Sequence, residues 1–412
     1  MVTLTEPTIK DNLILTSNGT VSGQLIGAEY LTLTGDAYFE YAVNAEASKW
    51  YQIAVPWEVN VLDGISVNGH IVQQNKLAII YYDGYRRSIE GPNKCWKNVA
   101  DDGNVMRPGR LYLIALAFDA PVIRFKASDP THLLTTNTEV SAYKESTDNG
   151  DKDSGWNGVA NPALFNAFVN AGATIGQVYN PNGSYSTINL NTTKLIVGQG
   201  AFVQVPANKS VVVQYGAPFA AAPRRNSLGD DENINYEVRI APVNKDYTDC
   251  VFIQANADKD ENRYTIGKDL IKMGVSSSVP QMWINRYDVK LCLNTMAHDA
   301  ETVDYPLNIF APKNGEYVLS AIQEYGDAIL YLTYDNQVVW NLSYGAFIAN
   351  LPAGTDNNYG LRIVAKAPQI ATDIDEAIVD SKDATATKVL INGQVFIIRG
   401  KNVYSIDGRL VK

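Results

Sequence analysis

The sequence predicts an all-β protein, with two β-sandwich-like domains in tandem and a small C-terminal β-meander on a linker. Three observations predict this class. Short apolar runs that alternate with polar residues recur along most of the chain, as expected for strands with one buried face. Turn pairs such as Asn18-Gly19 and Asn314-Gly315 separate these runs and supply the positive φ of tight hairpins. Helical periodicity is limited to residues 163–171 and 268–273, where we expect two short helices.

The composition is that of a globular, acidic protein. The 412 residues are 46% hydrophobic and 19% charged, which is sufficient for two or three domains with cores of their own. The net charge of −10 argues against a nucleic-acid partner, because binding phosphates needs a basic stripe. The longest apolar run, residues 111–118, is too short for a transmembrane segment. No basic segment followed by an apolar core opens the chain, so we expect any signal peptide to be removed or to lie outside this sequence.

Residues 1–215 are predicted to form one β-domain with two related halves. The segments 50–56 and 156–162 share the pattern W-x-x-[IV]-A-x-P, and each precedes a strand that begins with a glycine, Gly109 or Gly198. One half-sheet cannot bury its own face, so this repeated order indicates two units packed together. Chance agreement of a short motif is the alternative. The first three strands are expected to form an antiparallel meander, at residues 13–16, 21–25 and 30–34. Further strands are predicted at residues 38–43, 51–55, 77–82, 111–118 and 122–125.

The remaining chain divides by composition. Residues 216–233 are rich in Pro and Ala and then charged, which indicates an interdomain connection. Residues 234–365 contain nine predicted strands, which favour a β-sandwich. Residues 366–387 are acidic, rich in Ala, Asp and Thr and free of aromatics, which is typical of a linker. Residues 388–412 alternate apolar runs with the turn pairs Asn392-Gly393, Gly400-Lys401 and Asp407-Gly408, which predicts the small antiparallel meander.

Residues 388–412 resemble a known class of export signal. Their order of strand and turn residues is similar to the short C-terminal sorting domains of proteins exported by the type IX secretion system of Bacteroidota. The segments GWNGVANP at 155–162 and GQGAFVQV at 198–205 also resemble a pattern found upstream of such domains, from which Ala160 and Ala201 depart. A terminal hairpin that completes the preceding sheet is the alternative.

This resemblance implies a location and a partner. The chain would be secreted or attached to the outer membrane at the cell surface, and the type IX secretion machinery would recognise its tail. The sorting-signal residues that the resemblance implies are Asn392, Gly393, Gly400, Asp407 and Gly408.

The sequence contains no recognisable catalytic motif, so we do not expect an enzyme. The three histidines lie in different segments without metal-ligand spacing, and no nucleophile elbow, Walker loop or dinucleotide fingerprint is present. Cys292 lies six residues from His298, but both are more simply explained as core residues. The three cysteines allow one disulfide, with Cys250 and Cys292 the candidate pair.

Two acidic segments are candidates for structural calcium, and no other cofactor is expected. Asp151 and Asp153, and again Asp258 and Asp260, space oxygen ligands by two residues, as calcium loops do. Neither segment has the complete EF-hand pattern, and a solvated turn is the alternative.

An aromatic segment is the candidate ligand surface. Residues 81–87 read as an aromatic hairpin with a polar tip, on which sugar rings or protein side chains stack. Its candidate contacts are Tyr82 and Tyr85, joined by Trp96 and Tyr112. Strand packing is the simpler use of tyrosine, because aromatic residues favour half-buried pleated surfaces.

These observations favour a non-catalytic secreted or cell-surface protein that serves in adhesion, binds a glycan or a host or extracellular protein, or acts as a spacer. The alternative is a secreted carbohydrate-active or peptide-processing enzyme, or the C-terminal fragment of one. A pocket with two close carboxylates would favour the enzyme.

Overall fold

The computed structural model describes most of the chain between residues 8 and 405. The described residues are 8–9, 11–26, 32–131, 138–144, 152–170, 175–214, 233–243, 245, 249–256, 259, 262–274, 276–297, 302–323, 328–364, 387–391, 394–399 and 402–405. They confirm the all-β class, because strands and the loops between them make up nearly all of the described chain. The chain divides into two compact units, Met1–Lys366 and Ala367–Lys412. No helix among the described residues is long and apolar enough to cross a bilayer.

The first half of the N-terminal region consists of two facing sheets with one seven-residue α-helix. One sheet has the order β10-β9-β12-β5 and the other β2-β4-β13-β7-β8, and their core includes Phe39, Trp57 and Phe125. The elements are β1 Thr8–Ile9, β2 Leu13–Ser17, β3 Thr32–Leu33, β4 Ala37–Tyr41, β5 Tyr51–Ile53, β6 Val59–Asn60, β7 Ile65–Val67, β8 His70–Ile71, β9 Leu77–Tyr82, α1 Gly84–Glu90, β10 Trp96–Asn98, β11 Val105–Met106, β12 Tyr112–Leu116 and β13 Ile123–Lys126.

The predicted antiparallel meander at the start of the chain is wrong. β2 pairs in parallel with β4, from Leu13 opposite Ala37 to Ser17 opposite Tyr41. Residues 21–25 form no strand, because their backbone bonds elsewhere: the Leu25 N–H donates to the Leu164 carbonyl over 2.7 Å. Turn chemistry alone therefore gave the wrong strand partner here. The strands predicted between residues 38 and 125 are present as β4, β5, β9, β12 and β13.

The second half has the same strand order as the first. Its sheets β15-β19-β17-β18 and β14-β20-β16 correspond in chain order to β5-β12-β9-β10 and β4-β13-β7, and all pairs in these four sets are antiparallel. The strands are β14 Thr138–Ala142, β15 Trp156–Ala160, β16 Phe168–Asn170, β17 Ile175–Tyr179, β18 Tyr185–Asn189, β19 Gly200–Gln204 and β20 Lys209–Gln214.

The predicted helix at 163–171 is wrong, since the described residues 163–170 form a turn and the short strand β16. Ala163, Leu164 and Phe165 are consecutive and all buried, so this segment has no solvent face for a helix to present. The Asn161 side chain replaces the helical bonds: it donates to the Phe165 carbonyl over 2.7 Å and accepts from the Ala163 N–H over 3.0 Å.

The two halves bond to each other crosswise through the tryptophan segments. The Ala54 N–H donates to the Gly198 carbonyl over 2.8 Å, and the Ala160 N–H donates to the Gly109 carbonyl over 3.2 Å. Ala54 and Ala160 hold the same place in the repeated pattern, and Gly109 and Gly198 hold the same place before β12 and β19. Equivalent residues thus make equivalent contacts in both directions, as they do across a two-fold axis.

Residues 233–364 contribute a single large sheet that folds over into a sandwich. Its order is β29-β28-β32-β26-β24-β25-β22-β21-β27-β30, with β23 beside β25 and β31 beside β26. Strands far apart in this order share one core, which includes Tyr236, Leu291 and Leu332. The strands are β21 Asn233–Pro242, β22 Asp249–Asn256, β23 Leu270–Ile271, β24 Gln281–Arg286, β25 Val289–Ala297, β26 Thr302–Ala311, β27 Gly315–Gln323, β28 Ile329–Tyr334, β29 Gln337–Asn341, β30 Phe347–Leu351, β31 Gly354–Asp356 and β32 Tyr359–Val364.

The helix predicted at 268–273 and the disulfide are also wrong. Leu270 and Ile271 form β23, which pairs with β25 in place of the intrahelical bonds. Cys250 and Cys292 are free, buried thiols. Each donates to a backbone carbonyl over 3.6 Å, Cys250 to Thr187 and Cys292 to Leu270, so each thiol has a partner without a bridge.

The second half packs directly on this sandwich. Phe202 and Ile175 share a buried cluster with Cys250, Phe252 and Leu293. The Gln177 side chain adds two hydrogen bonds across the junction, donating to the Ile271 carbonyl over 2.7 Å and accepting from the Met273 N–H over 2.8 Å.

In the second compact unit, three antiparallel strands form one sheet, as predicted for the C-terminal meander. They are β33 Thr387–Ile391, β34 Gln394–Arg399 and β35 Asn402–Ser405. The predicted sorting-signal residues Asn392, Gly393, Gly400, Asp407 and Gly408 lie outside the described residues.

Candidate functional site

The predicted aromatic hairpin at residues 81–87 is instead the end of a strand followed by a helix. Tyr81 and Tyr82 end β9, and α1 begins at Gly84. Asp83 is the N-cap, because its carboxylate accepts from the Arg86 N–H over 2.9 Å. A capping aspartate and the i,i+4 pair of Arg86 with Glu90 favour a helical turn over a hairpin.

The four predicted ligand contacts do not share one exposed face. Tyr82 is 6% exposed and packs edge-on against Trp96 and Phe202, with ring centroids 5.2 and 5.3 Å away. Tyr112 is fully buried, its hydroxyl accepts from the Arg107 N–H over 2.6 Å, and burial raises its pKa to about 12. Trp96 is half-buried, whereas Tyr85 is 55% exposed. Burial of Tyr82 and Tyr112 leaves Tyr85 as the tyrosine of this set that solvent reaches.

A polar cleft opens beside Tyr82, at the junction of the two halves. Its volume is about 330 Å³. The first half supplies residues 81–84, from the end of β9 to the start of α1, and residues 108–110 before β12. The second half supplies the opposite wall. That wall consists of Val140, Ser141, Tyr143, Asn157, Gly158 and Pro162. The cleft is therefore formed by both halves together.

Arg110 lines one wall of the cleft, with its guanidinium over an aromatic ring. The Arg110 guanidinium lies 4.8 Å from the centre of the Tyr81 ring and is paired with Asp102. Partial burial lowers the pKa of Arg110, but Asp102 and the neighbouring Tyr112 and Tyr81 raise it by more, so its net direction is upward. Arg110 is therefore a permanent donor at a fixed position.

Asn157 fixes the opposite wall. Its amide donates to the Tyr143 carbonyl over 2.8 Å, and its oxygen accepts from the Tyr143 N–H over 2.9 Å. The same oxygen would lie 2.0 Å from a β-carbon at Gly84, so only glycine fits at that place in α1. The Tyr143 ring is half-buried and meets the Tyr85 ring edge-on with centroids 5.2 Å apart. Asn157 thus holds an aromatic side chain at the mouth of the cleft.

The two halves pack differently at one pair of equivalent positions. Gln52 and Gly158 hold the same place in the repeated pattern W-x-x-[IV]-A-x-P. The Gln52 side chain donates to the Gly200 carbonyl over 2.6 Å and accepts from the Tyr179 N–H over 2.8 Å. A β-carbon at Gly158 would meet the β-carbons of Leu111 and Tyr82 at 3.0 Å. Glycine at 158 therefore lets Leu111 and Tyr82 pack against β15 beside the cleft.

Of the candidate calcium residues, Asp153 is among the described residues. Asp153 is exposed and lies beside Arg87, with 3.4 Å between the carboxylate and guanidinium atoms. Asp151, Asp258 and Asp260 lie outside the described residues. Within the described part of the chain, no three His, Cys, Asp or Glu side chains are grouped as metal ligands.

The cleft residues that sequence reasoning missed are Arg110, Tyr143 and Asn157. Asn157 lies within the repeated tryptophan segment, whereas Arg110 and Tyr143 lie outside it. No known protein-family model matches the chain, and comparison with curated proteins finds no match.

Chemically, the cleft is equipped to hold a polar molecule. Among the lining residues, Asp83 is the one carboxylate and Arg110 the one cation, and no histidine is present. Ser141 is exposed at the rim, and the Asp83 carboxylate is already engaged by Lys97 and the Arg86 N–H. This set offers hydrogen bonds and an aromatic surface to a ligand.

Proposed function

We propose that this chain is a non-catalytic protein of the cell surface or the secreted fraction, which binds an extracellular ligand in the cleft between its halves. The composition of the cleft supports binding over hydrolysis: one carboxylate lines it, whereas general acid and base chemistry on glycosides uses two. The ligand is a glycan or a group on a host or extracellular protein, and adhesion is the role that fits such binding.

Export is the second part of the proposal. The C-terminal sheet β33 to β35 would be recognised by the type IX secretion machinery. It would direct residues 1–366, here called the body, to the outer membrane surface. The resemblance of residues 388–412 to sorting domains carries this part, and the antiparallel strand pairing of that sheet is compatible with it.

A binding array tests the first part. The purified chain is applied to immobilised glycans and extracellular proteins, beside Tyr143→Ala and the control Tyr344→Ala, which removes a tyrosine that is 66% exposed on the sandwich. We expect a ligand that the wild-type and control chains retain and the Tyr143→Ala chain loses. A signal that Tyr143→Ala leaves intact, or ligand that the wild-type chain cleaves, would refute binding in the cleft as the function.

A further inference from the structure

We propose that the cleft accepts one uncharged sugar unit, such as the terminal residue of a glycan. This inference rests on the proposed function and specifies its ligand. Three features of the cleft lead to it: its size, its balance of charge and its polar groups.

The size of the cleft limits the ligand. A volume of about 330 Å³ lies at the lower end of the range for small-molecule sites, about 300–1,000 Å³. The walls are strand ends and glycine backbone, held together by the hydrogen bonds of Asn157 to Tyr143. A space of this size admits a sugar ring or an amino acid, and it is too small for a folded segment of another protein.

The charges of the cleft are already matched within the protein. Arg110 is paired with Asp102, and the Asp83 carboxylate lies 3.7 Å from the Lys97 ammonium while it also caps α1. An acidic ligand would compete with Asp102 for Arg110, and a basic ligand would compete with Lys97 for Asp83. Breaking either pair costs binding energy, whereas a neutral ligand leaves both in place.

The polar groups of the cleft suit hydroxyls, which both donate and accept. Asp83 provides an acceptor and Arg110 a donor, on the wall from the first half. The hydroxyls of Ser141 and Tyr143 have no protein partner among the described residues. The Tyr143 ring adds an apolar surface for the C–H groups of a sugar. A free amino acid carries an ammonium and a carboxylate group, and these would compete with the pairs Asp83–Lys97 and Arg110–Asp102.

Backbone at Gly158 brings the two halves close together beside the cleft. A β-carbon there would meet Leu111 and Tyr82 at 3.0 Å, so glycine lets the Tyr82 side chain pack against β15. Tyr82 in turn lies edge-on to Trp96 and Phe202, with ring centroids 5.2 and 5.3 Å away. This close packing gives the cleft a fixed wall beside its polar groups.

A titration with matched compounds tests this inference. Neutral hexoses and N-acetylhexosamines, their uronic acids and unacetylated amines, and free amino acids are each titrated into the full chain by saturation-transfer NMR and calorimetry. We expect one or more neutral sugars to bind, with each charged counterpart weaker by about tenfold or more. Ser141→Trp fills the rim from an exposed position and should abolish this binding, and Ser128→Trp, also on an exposed serine, should leave it unchanged. Thermal unfolding checks that both variants fold.

The outcomes separate the two proposals. A charged counterpart or an amino acid that binds more tightly, and is lost in Ser141→Trp, overturns the sugar inference but leaves binding in the cleft intact. Sugar binding that survives Ser141→Trp overturns the assignment to the cleft. If the array yields a protein ligand that Ser141→Trp blocks and no sugar binds, the proposed function stands and the sugar is wrong. If neither the array nor the titration gives a ligand that depends on the cleft, both proposals fail.

Discussion

At the scale of single residues, the cleft depends on a buried side chain. Asn157 is buried and joins three backbone groups, the Tyr143 N–H, the Tyr143 carbonyl and the Gly155 carbonyl, over 2.8 to 3.0 Å. Without it, the Tyr143 N–H and carbonyl lose these bonds, whereas the Gly155 carbonyl keeps the Val205 N–H as a donor. Asn157 is therefore expected to couple stability to ligand binding.

Substitution of Asn157 by Leu should lower the free energy of unfolding and weaken ligand binding together. The expected loss of stability is about 1–3 kcal/mol, because the N–H and the carbonyl of Tyr143 both lose their bonds to the Asn157 side chain. Urea unfolding measures it, with Asn191→Ala, at an exposed asparagine, as the control. A chain with Asn157→Leu that keeps full stability and full binding would show that these bonds do not hold the wall.

The strands that carry the predicted contacts could be read from the sequence, but the exposure of their tyrosines could not. Alternation correctly placed residues 77–82 on a strand, but it does not say which face meets a second sheet. Tyr82 and Tyr112 were expected at a surface, yet Phe202 and the backbone of Arg107 cover them. These covering groups come from elsewhere in the chain, so only tertiary packing decides the exposure of each tyrosine.

At the scale of elements, the segment from β22 to β23 carries two buried ion pairs, one nested inside the other. Lys272 donates to both oxygens of Asp249 over 2.8 and 2.7 Å, and Lys259 is paired with Asp269. All four side chains are at most 1% exposed. Burial raises the pKa of Asp249, and the charge of Lys272 opposes that rise. Each buried charge is stabilised by a partner of opposite charge that lies in the same segment, between residues 249 and 272.

Removal of one partner should cost more than removal of both. Lys272→Met is expected to lower the free energy of unfolding by about 3–5 kcal/mol, because Asp249 is then a buried charge without its cation. The double variant with Asp249→Leu should recover most of that loss, although the Met282 N–H loses its acceptor. Chemical denaturation of the four chains completes the cycle, and Lys49→Met at an exposed pair is the control. Single and double variants of equal stability would contradict this account.

Element prediction failed where apolar residues surround the chain on all sides. The run from Ala163 to Phe165 has helical spacing but is buried all round, so neighbouring strands and Asn161 determine its path. Strands such as β26 and β27 were predicted because their alternation matches the two faces of a sheet. The parallel pairing of β2 with β4 was missed because the residues of a local turn do not indicate which distant strand a segment pairs with.

At the scale of the whole molecule, the two halves and the sandwich are joined by hydrogen bonds and shared buried side chains. The halves exchange the bonds of Ala54 to Gly198 and of Ala160 to Gly109, and the second half shares a buried cluster with the sandwich. Because each part contributes buried surface to its neighbour, we expect the body to unfold without a stable isolated half. The C-terminal sheet belongs to the second compact unit. That separation lets the tail be tested apart from the body.

The C-terminal tail, residues 366–412, is expected to direct export without the rest of the chain. A reporter with its own signal peptide, fused to residues 366–412 and expressed in a cell with a type IX secretion system, should reach the cell surface or the medium. The same reporter without the tail should stay in the periplasm, as should a fusion that carries Asp407→Ala and Gly408→Ala in the predicted signal. Fractionation and protease accessibility of intact cells measure the location. A tailed reporter that remains periplasmic would refute the sorting role and favour a terminal sheet that serves only structure. Surface delivery of the reporter would show that residues 366–412 are sufficient for export, because the fusion contains no other part of this chain.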